Sequence, residues 1–310
     1  MAHPDLISRP PILVDVGASA GLPVDWSLIA PYSICIAFDA DTRDFSISES
    51  ESKGYKKLYL LNRLVASKTK DSTSFFLTRS PHCSSSLKPD ENSIKSWAFN
   101  KMFDIENIVD MPADTLTNLL ITIGVDYIDW FKIDSQGTDL RIFKSLPLNI
   151  IEKIIVAEFE PGIINAYIGE DKLHQLMNYM DKKPFWISSM KIKGSQRIDQ
   201  NDLVDLNMLQ SKSIDSFLKM APGWCEISYI NNLENDNLSR RDLLLSWVFS
   251  SIKEEHGFAL RAAKIGLIKF NEKLFNELIN SSKNSLSSGY IRLGRKIVQK
   301  IGRIIAGNRL

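Results

Sequence analysis

The sequence predicts an α/β fold, a mostly parallel sheet with helices on both faces and a helical C-terminal extension, and three observations predict it. Apolar runs of strand length alternate with helical or polar stretches from the start to about residue 195. The first run, Ile12–Val16, breaks into the glycine turn of "VDVGASAG", a common opening for a sheet that gathers ligands at its strand ends. Beyond the polar linker "NNLENDNLS" the pattern is helical to the end. The reading is a domain over residues 1–235 and an extension over 236–310.

The elements follow in order. Six main strands are expected at Ile12–Val16, Ser33–Phe38, Lys57–Leu61 running on toward Val65, Tyr127–Ile133, Ile154–Phe159 and Phe185–Ile192, each a short apolar run bounded by turn residues. A shorter pair, Ser74–Thr78 and Asn107–Asp110, reads as an insertion before the fourth of these. Helix starts are marked by Asp114 before "TLTNLLITIG", by Asp134–Gly137 before "TDLRIFKSL" and by Asp171 before "KLHQLMNYM", with Gly124 closing the first. A further helix is expected around Ser213–Met220. "WCEISYI", Trp224–Ile230, alternates like an exposed antiparallel strand and is read as the last strand of the sheet.

Composition narrows the function classes. A net charge of +1 gives no whole-protein field that would draw in nucleic acid. Cys35, Cys83 and Cys225 lie far apart without C-x-x-C spacing, so neither a zinc knuckle nor a disulfide framework is expected, and no histidine pair has metal spacing. The N-terminus lacks a charged-then-apolar signal pattern, and no window approaches the roughly 18 apolar residues of a bilayer span. These features predict a cytoplasmic protein.

The glycine turn limits the cofactor. A dinucleotide turn needs G-x-G-x-x-G so that the backbone can approach a pyrophosphate. Here Gly17 is followed by Ala18, Ser19, Ala20 and Gly21, and two glycines are missing from their places. S-adenosylmethionine carries no phosphate. It needs room for its amino-acid end and a carboxylate near its positive charges, which Asp15 and the Gly17–Gly21 turn meet. Asp39, in "IAFDAD", stands about 20 residues beyond the turn, where an acid accepts hydrogen bonds from ribose hydroxyls; Asp41 is expected to be solvated.

"ILVDVGASAG", "IAFDAD", "CSSSLKPD", "DTLTNLL", "FKIDSQGTDLRIFKSL" and "IIVAEFEP" occur in the order found in FkbM-type S-adenosylmethionine-dependent methyltransferases, and the chain resembles that family from about Ile12 to Ile192. The resemblance implies a Rossmann-like class I methyltransferase fold of seven strands. It also implies methyl transfer to a hydroxyl oxygen, often on a sugar of a glycan or glycosylated product. By position, Asp15, Gly17 and Gly21 would line the methionine end of the cofactor, Asp39 the ribose, and Asp134 would face the reaction. Ser19, Ala40 and Asp139 stand where family members often have Asn, Pro and Glu.

Methyl transfer to a hydroxyl requires a base, and the candidates are few. Asp134 leads because it ends a strand, although an aspartate just ahead of a helix is also a good N-cap. His82, in the loop "RSPHCSSS", has the side-chain type suited to base work, and the alternative is an exposed loop histidine. Glu158 in "VAEFEP" would hold sugar hydroxyls or join Asp134 around a divalent cation, or else be a buried structural group. Among the tryptophans, Trp97 is the first choice for substrate contact.

After Glu277 there are no acids, and residues 286–310 combine isoleucines at helical spacing with arginines and lysines. Such a segment either lies in the headgroup region of an anionic membrane, placing the protein at its inner face, or docks its apolar side on protein. The expected function is an S-adenosylmethionine-dependent O-methyltransferase acting on a sugar or glycan hydroxyl. The alternatives are a catalytically silent glycan-binding or membrane-associated module of the same fold, and an NAD-linked oxidoreductase, which the missing glycines disfavour.

Overall fold

The computed structural model describes residues 3–19, 21–41, 43, 54–199, 202 and 219–288. The chain divides into two compact units, Met1–Asn232 and Leu233–Leu310. In the first, α1 (Pro4–Ser8) leads into β1 (Ile12–Val16), β2 (Ile34–Asp39) and β3 (Lys57–Asn62). An excursion follows through β4 (Leu64–Ala66), β5 (Lys70–Thr78), α2 (Glu91–Ile94) and β6 (Ile105–Thr115). The chain then runs through α3 (Leu116–Thr122), β7 (Trp130–Ile133), α4 (Asp139–Lys144), α5 (Leu148–Ile151), β8 (Val156–Phe159), α6 (Leu173–Met180), β9 (Phe185–Ser195) and β10 (Ala221–Asn231).

Seven strands form one sheet in the order β3-β2-β1-β7-β8-β10-β9. All its neighbours are parallel except where β10 lies antiparallel between β8 and β9, so the architecture is α/β and compatible with a Rossmann-like fold. The chain builds outward from β1 in one direction through β2 and β3, and in the other through β7 and β8. That reversal opens a crevice above the carboxyl ends of β1 and β7.

Alternation decides what each face carries. Val14, Val16, Ile36, Phe38, Phe131, Ile133, Ala157 and Phe159 point to one face, where Leu116, Leu119 and Leu120 of α3, Leu140, Ile142 and Phe143 of α4 and Leu176 and Met180 of α6 cover them. Phe143 holds this layer together, 5.3 Å from Phe131 and 5.0 Å from Phe159 between ring centres. The opposite face is covered differently. There the 3-10 segment Val24–Leu28 buries Trp26 edge-on against Trp130, and Asp15, Lys132, Glu158 and Ser228 lie in register across four strands.

Several boundaries move from their expected places. The run from Lys57 toward Val65 splits into β3 and β4, and β4 joins β5 and β6 in a separate three-stranded sheet, so the expected short pair is longer than its apolar core. β10 is antiparallel as expected but lies inside the sheet and is largely buried, not exposed. None of the three aspartates read as helix starts is a cap. Thr115 and Lys172 are the cap residues of α3 and α6, and α4 begins after Thr138. The helix expected around Ser213–Met220 and nearly all of 286–310 lie outside the described residues. Among the described residues no helix is long and apolar enough to cross a membrane.

The second unit contains α7 (Arg240–Ile252), α8 (His256–Phe270) and α9 (273–288). Ser239 and Asp242 cap the start of α7 reciprocally, and Asn271 ends α8 in the left-handed conformation. Leu233, Leu243, Leu244, Ala262 and Phe275 form its core. Phe275 packs on Gly266 so closely that a Cβ there would stand 2.1 Å from its ring. An Ala for Gly in a helix ordinarily stabilises by about 1 kcal/mol. Here Gly266→Ala should instead destabilise the protein by roughly 1–3 kcal/mol, read as a lowered melting temperature, whereas Gly257→Ala, with nothing within 4 Å of the new methyl, should not.

Candidate functional site

The crevice is shaped by contact between two strand ends. Asp134 N donates to Val16 O (2.8 Å), while Gly17 N and Ala18 N donate to Phe38 O (2.8 and 3.1 Å). Gly17 has φ +83°, and a Cβ on it would stand 1.9 Å from Asp134 O. Its glycine is therefore demanded twice, by conformation and by space. Gly21 has φ +86° with open space around it, and it does not line the crevice. The connection from β1 to β2 contains 3-10 segments, and no α-helix begins in its described residues.

Asp39, at the tip of β2, is 7% exposed and accepts from Asp41 N (2.8 Å). Burial pushes its carboxyl up to about 6, with the charges of Asp41 and Asp15 adding to the rise. Asp41 is not solvated as expected. It is 2% exposed and takes a two-pronged bond from Arg43 (2.7 and 3.0 Å), which also reaches Ser84 Oγ (3.0 Å) and Thr78 O (2.9 Å). Burial raises the Asp41 carboxyl, but Arg43 outweighs it and holds the group below its ordinary value.

At the tip of β7, "DSQGTD" separates structure from exposure. Asp139 does the tying: its carboxylate accepts from Ser135 N (2.9 Å), Ser135 Oγ (2.6 Å) and Glu160 N (3.0 Å). Asp134 caps nothing and lines the crevice. Gln136 Nε2 donates to its Oδ1 at 2.5 Å. Burial, then the charges of Glu160 and Asp139, push its carboxyl well above the usual range against the pull of Lys132 and Gln136.

Two cavities meet at Asp134. The narrower is bounded by Gly17, Ser19, Asp39, Leu64 and Ser135 among others. The wider, about 350 Å³, is bounded by Phe99, Met102, Phe103, Tyr167, Trp224 and Glu160. His82, Asp134 and Gln136 belong to both. His82 is exposed, with Nδ1 3.5 Å from Ser19 Oγ.

Three residues singled out from sequence stand elsewhere. Asp15 is fully buried on the opposite face, paired with Lys132 Nζ at 2.9 Å, because alternation turns it away from the crevice. Burial raises its carboxyl and Lys132 opposes the rise. Glu158 faces the same way and accepts from Trp130 Nε1 (2.8 Å) and Ser228 Oγ (3.3 Å); Glu160, two residues on, is the acid in the cavity. Trp97 is 6% exposed and lies behind the wall, stacked on Phe99 at 5.6 Å, while Phe99 and Trp224 line the wider cavity. Glu160 was within reach of sequence reasoning, since it directly follows the strand. Gln136 and Tyr167 had no such signal.

Compared with family models, with curated proteins and with solved structures, the chain matches none.

Gly17→Ala should destabilise the first unit by about 3 kcal/mol through the clash with Asp134 O, and Gly21→Ala by only about 1–2 kcal/mol through its left-handed backbone. Chemical denaturation of the two variants orders them, and equal costs would contradict the steric account.

Proposed function

We propose that this chain is an S-adenosylmethionine-dependent O-methyltransferase acting on a hydroxyl, of a sugar in a glycan or glycosylated metabolite. The observation that carries the reading is the meeting of two cavities at one carboxylate, Asp134. A methyl donor in one and an acceptor in the other would react across that junction. The strand order, with a single antiparallel strand next to the last, agrees with the class I methyltransferase sheet that the FkbM-type resemblance implies.

The residues of the narrower cavity fit the cofactor. Gly17 leaves the backbone open for its methionine end, and Asp39 presents a buried carboxylate to the ribose hydroxyls. A pyrophosphate is disfavoured further, because among the described residues after the turn no α-helix begins whose N-terminus would receive an anion. Asp39 and Asp134 also favour a cation over phosphate. Asp15 is left out of this role by its pairing with Lys132.

When bound, S-adenosylmethionine supplies an electrophilic methyl group. The chain holds the acceptor in line with it, and such positioning lowers a barrier by up to ~7–11 kcal/mol. Phe99 and Trp224 offer flat apolar faces for the C–H side of a sugar ring, and Glu160 offers a carboxylate for its hydroxyls. Asp134 takes the hydroxyl proton as the new bond forms, a contribution of ~10²–10⁴ in rate. Its raised carboxyl makes it a stronger base than an ordinary aspartate. Among the described residues no group of three or more His, Cys, Asp or Glu could hold a metal ion.

Titration calorimetry with S-adenosylmethionine and with NAD should show binding of the first alone, weakened roughly 10–100-fold in Asp39→Asn. That variant has a second signature. A carboxyl raised from 3.8 to about 6 on folding removes roughly 3 kcal/mol of stability as pH climbs through that window. Asp39→Asn should therefore melt higher than wild type at pH 8 and not at pH 4. Asp134→Asn should lose ~10²–10⁴ in turnover with cofactor affinity kept, and full activity would remove Asp134 as the base. The acceptor itself is found by mass spectrometry of cell-surface glycans with and without the protein, as one lost methyl group.

A further inference from the structure

Between the cavities, four groups form an unbranched chain with too few protons. Gln136 Nε2 lies 2.5 Å from Asp134 Oδ1, and Gln136 Oε1 lies 2.8 Å from the Tyr167 hydroxyl. The same hydroxyl lies 2.8 Å from the carbonyl of Cys83. It has one proton and two acceptors. The backbone of Gln136 is held in the left-handed region, φ +54°, uncommon for a residue with a side chain, and Ser85 Oγ donates to its carbonyl at 2.7 Å. A strained backbone pinned from outside is the mark of a residue placed for its side chain.

We propose that Gln136 and Tyr167 are positioning residues that let Asp134 gain and lose a proton at one fixed place, by reversing the direction of the hydrogen bonds between them. With Asp134 ionised, Gln136 Nε2 donates to it and the Tyr167 hydroxyl donates to Gln136 Oε1. When Asp134 takes the acceptor's hydroxyl proton, its new O–H donates to Gln136 Oε1, the amide having turned over. Gln136 Nε2 then donates to the Tyr167 oxygen, and the Tyr167 proton turns to Cys83 O. No proton leaves its oxygen within the chain, Asp134 gains only the one it receives, and Asp134, Gln136 and Tyr167 each keep a partner in both states. A carboxylate that changes charge once per turnover thus never stands without a partner, and the group that loses its partner in the ionised arrangement, the Cys83 carbonyl, is a neutral acceptor. The proposal rests on the reading of Asp134 as the base.

Other ionisable groups face this chain. Glu160 beyond β8, Asp139 on α4 and Lys132 on β7 act on Asp134, and Cys83 and Glu170 act on Tyr167. His82 stands on the rim of both cavities. None of them predicts opposite effects at the two positions of the chain. Removing the Gln136 amide takes two bonds from each arrangement, but the one lost to the ionised carboxylate is charge-assisted and the stronger, so Gln136→Leu should raise the Asp134 titration midpoint by about one pH unit. Tyr167→Phe takes one bond from the ionised arrangement and two from the protonated one, and should lower it.

The measurement is a carboxyl carbon NMR titration of the full chain, with Asp134 assigned by the signal lost in Asp134→Asn. It needs neither acceptor nor cofactor. Midpoints that move in opposite directions support the chain; midpoints that move together, or stay, overturn it. Gln136→Gly, which relieves the left-handed backbone, is the second donor-deleting variant if Gln136→Leu does not fold, and it should also raise the midpoint. Calorimetry on the wild type separates the two readings. Opposite shifts without S-adenosylmethionine binding would keep the chain and remove the methyltransferase, and binding with parallel shifts would do the reverse.

Discussion

The backbone of Gly17 lies against the carbonyl of Asp134 so closely that no methyl group fits between them. This contact joins the ends of β1 and β7, the two strands from which the sheet grows in opposite directions. It lets Asp134 N close onto Val16 O and so places the Asp134 side chain at the mouth of the crevice. The core below, with Phe131, Phe143 and Phe159 in contact, packs β7 and β8 against α4. The glycine is thus structural: the space its missing Cβ leaves is taken by the Asp134 carbonyl.

Charge is distributed around that contact with a clear division. Beneath the sheet, Asp15 is paired with Lys132, and the partnership keeps an otherwise costly buried carboxylate compensated. At the crevice, Arg43 closes off Asp41 and Lys172 closes off Glu170. Asp139 is spent on backbone and hydroxyl donors. What remains facing the cavities is Asp39, Asp134 and Glu160, all with carboxyls raised by burial. Three acids left this way give the cavities a lining that favours positive charge over negative.

Much of this was legible in the sequence. The α/β pattern, the seven strands of the main sheet, the glycine turn and the acids Asp39 and Asp134 all follow from apolar periodicity and from residues at strand ends. The two misplaced acids have one physical origin. A strand's side chains alternate with period two, and a linear reading does not say which face meets the ligand. Asp15 and Glu158 were assigned to the crevice because they are acids near strand ends, and both point through the sheet to the other side. Glu160 lies past the strand, where that alternation no longer applies. Trp97 failed differently: it is an aromatic in the right loop, but Phe99 stands between it and the cavity.

The sequence by itself determined the class of fold, since local periodicity and turn chemistry are short-range properties that any compact solution must respect. It also determined the turn "VDVGASAG", in which two glycines of the dinucleotide spacing are missing from their places. Only the tertiary structure decided which acids face the cavities. Asp134 and Asp139 lie five residues apart, and one of the three donors that tie Asp139, Glu160 N, reaches it from just past β8. The pairing of Gln136 with Tyr167, and of Tyr167 with Cys83, joins residues up to 84 positions apart. Contacts of that kind arise from packing, and no spacing in the sequence encodes them.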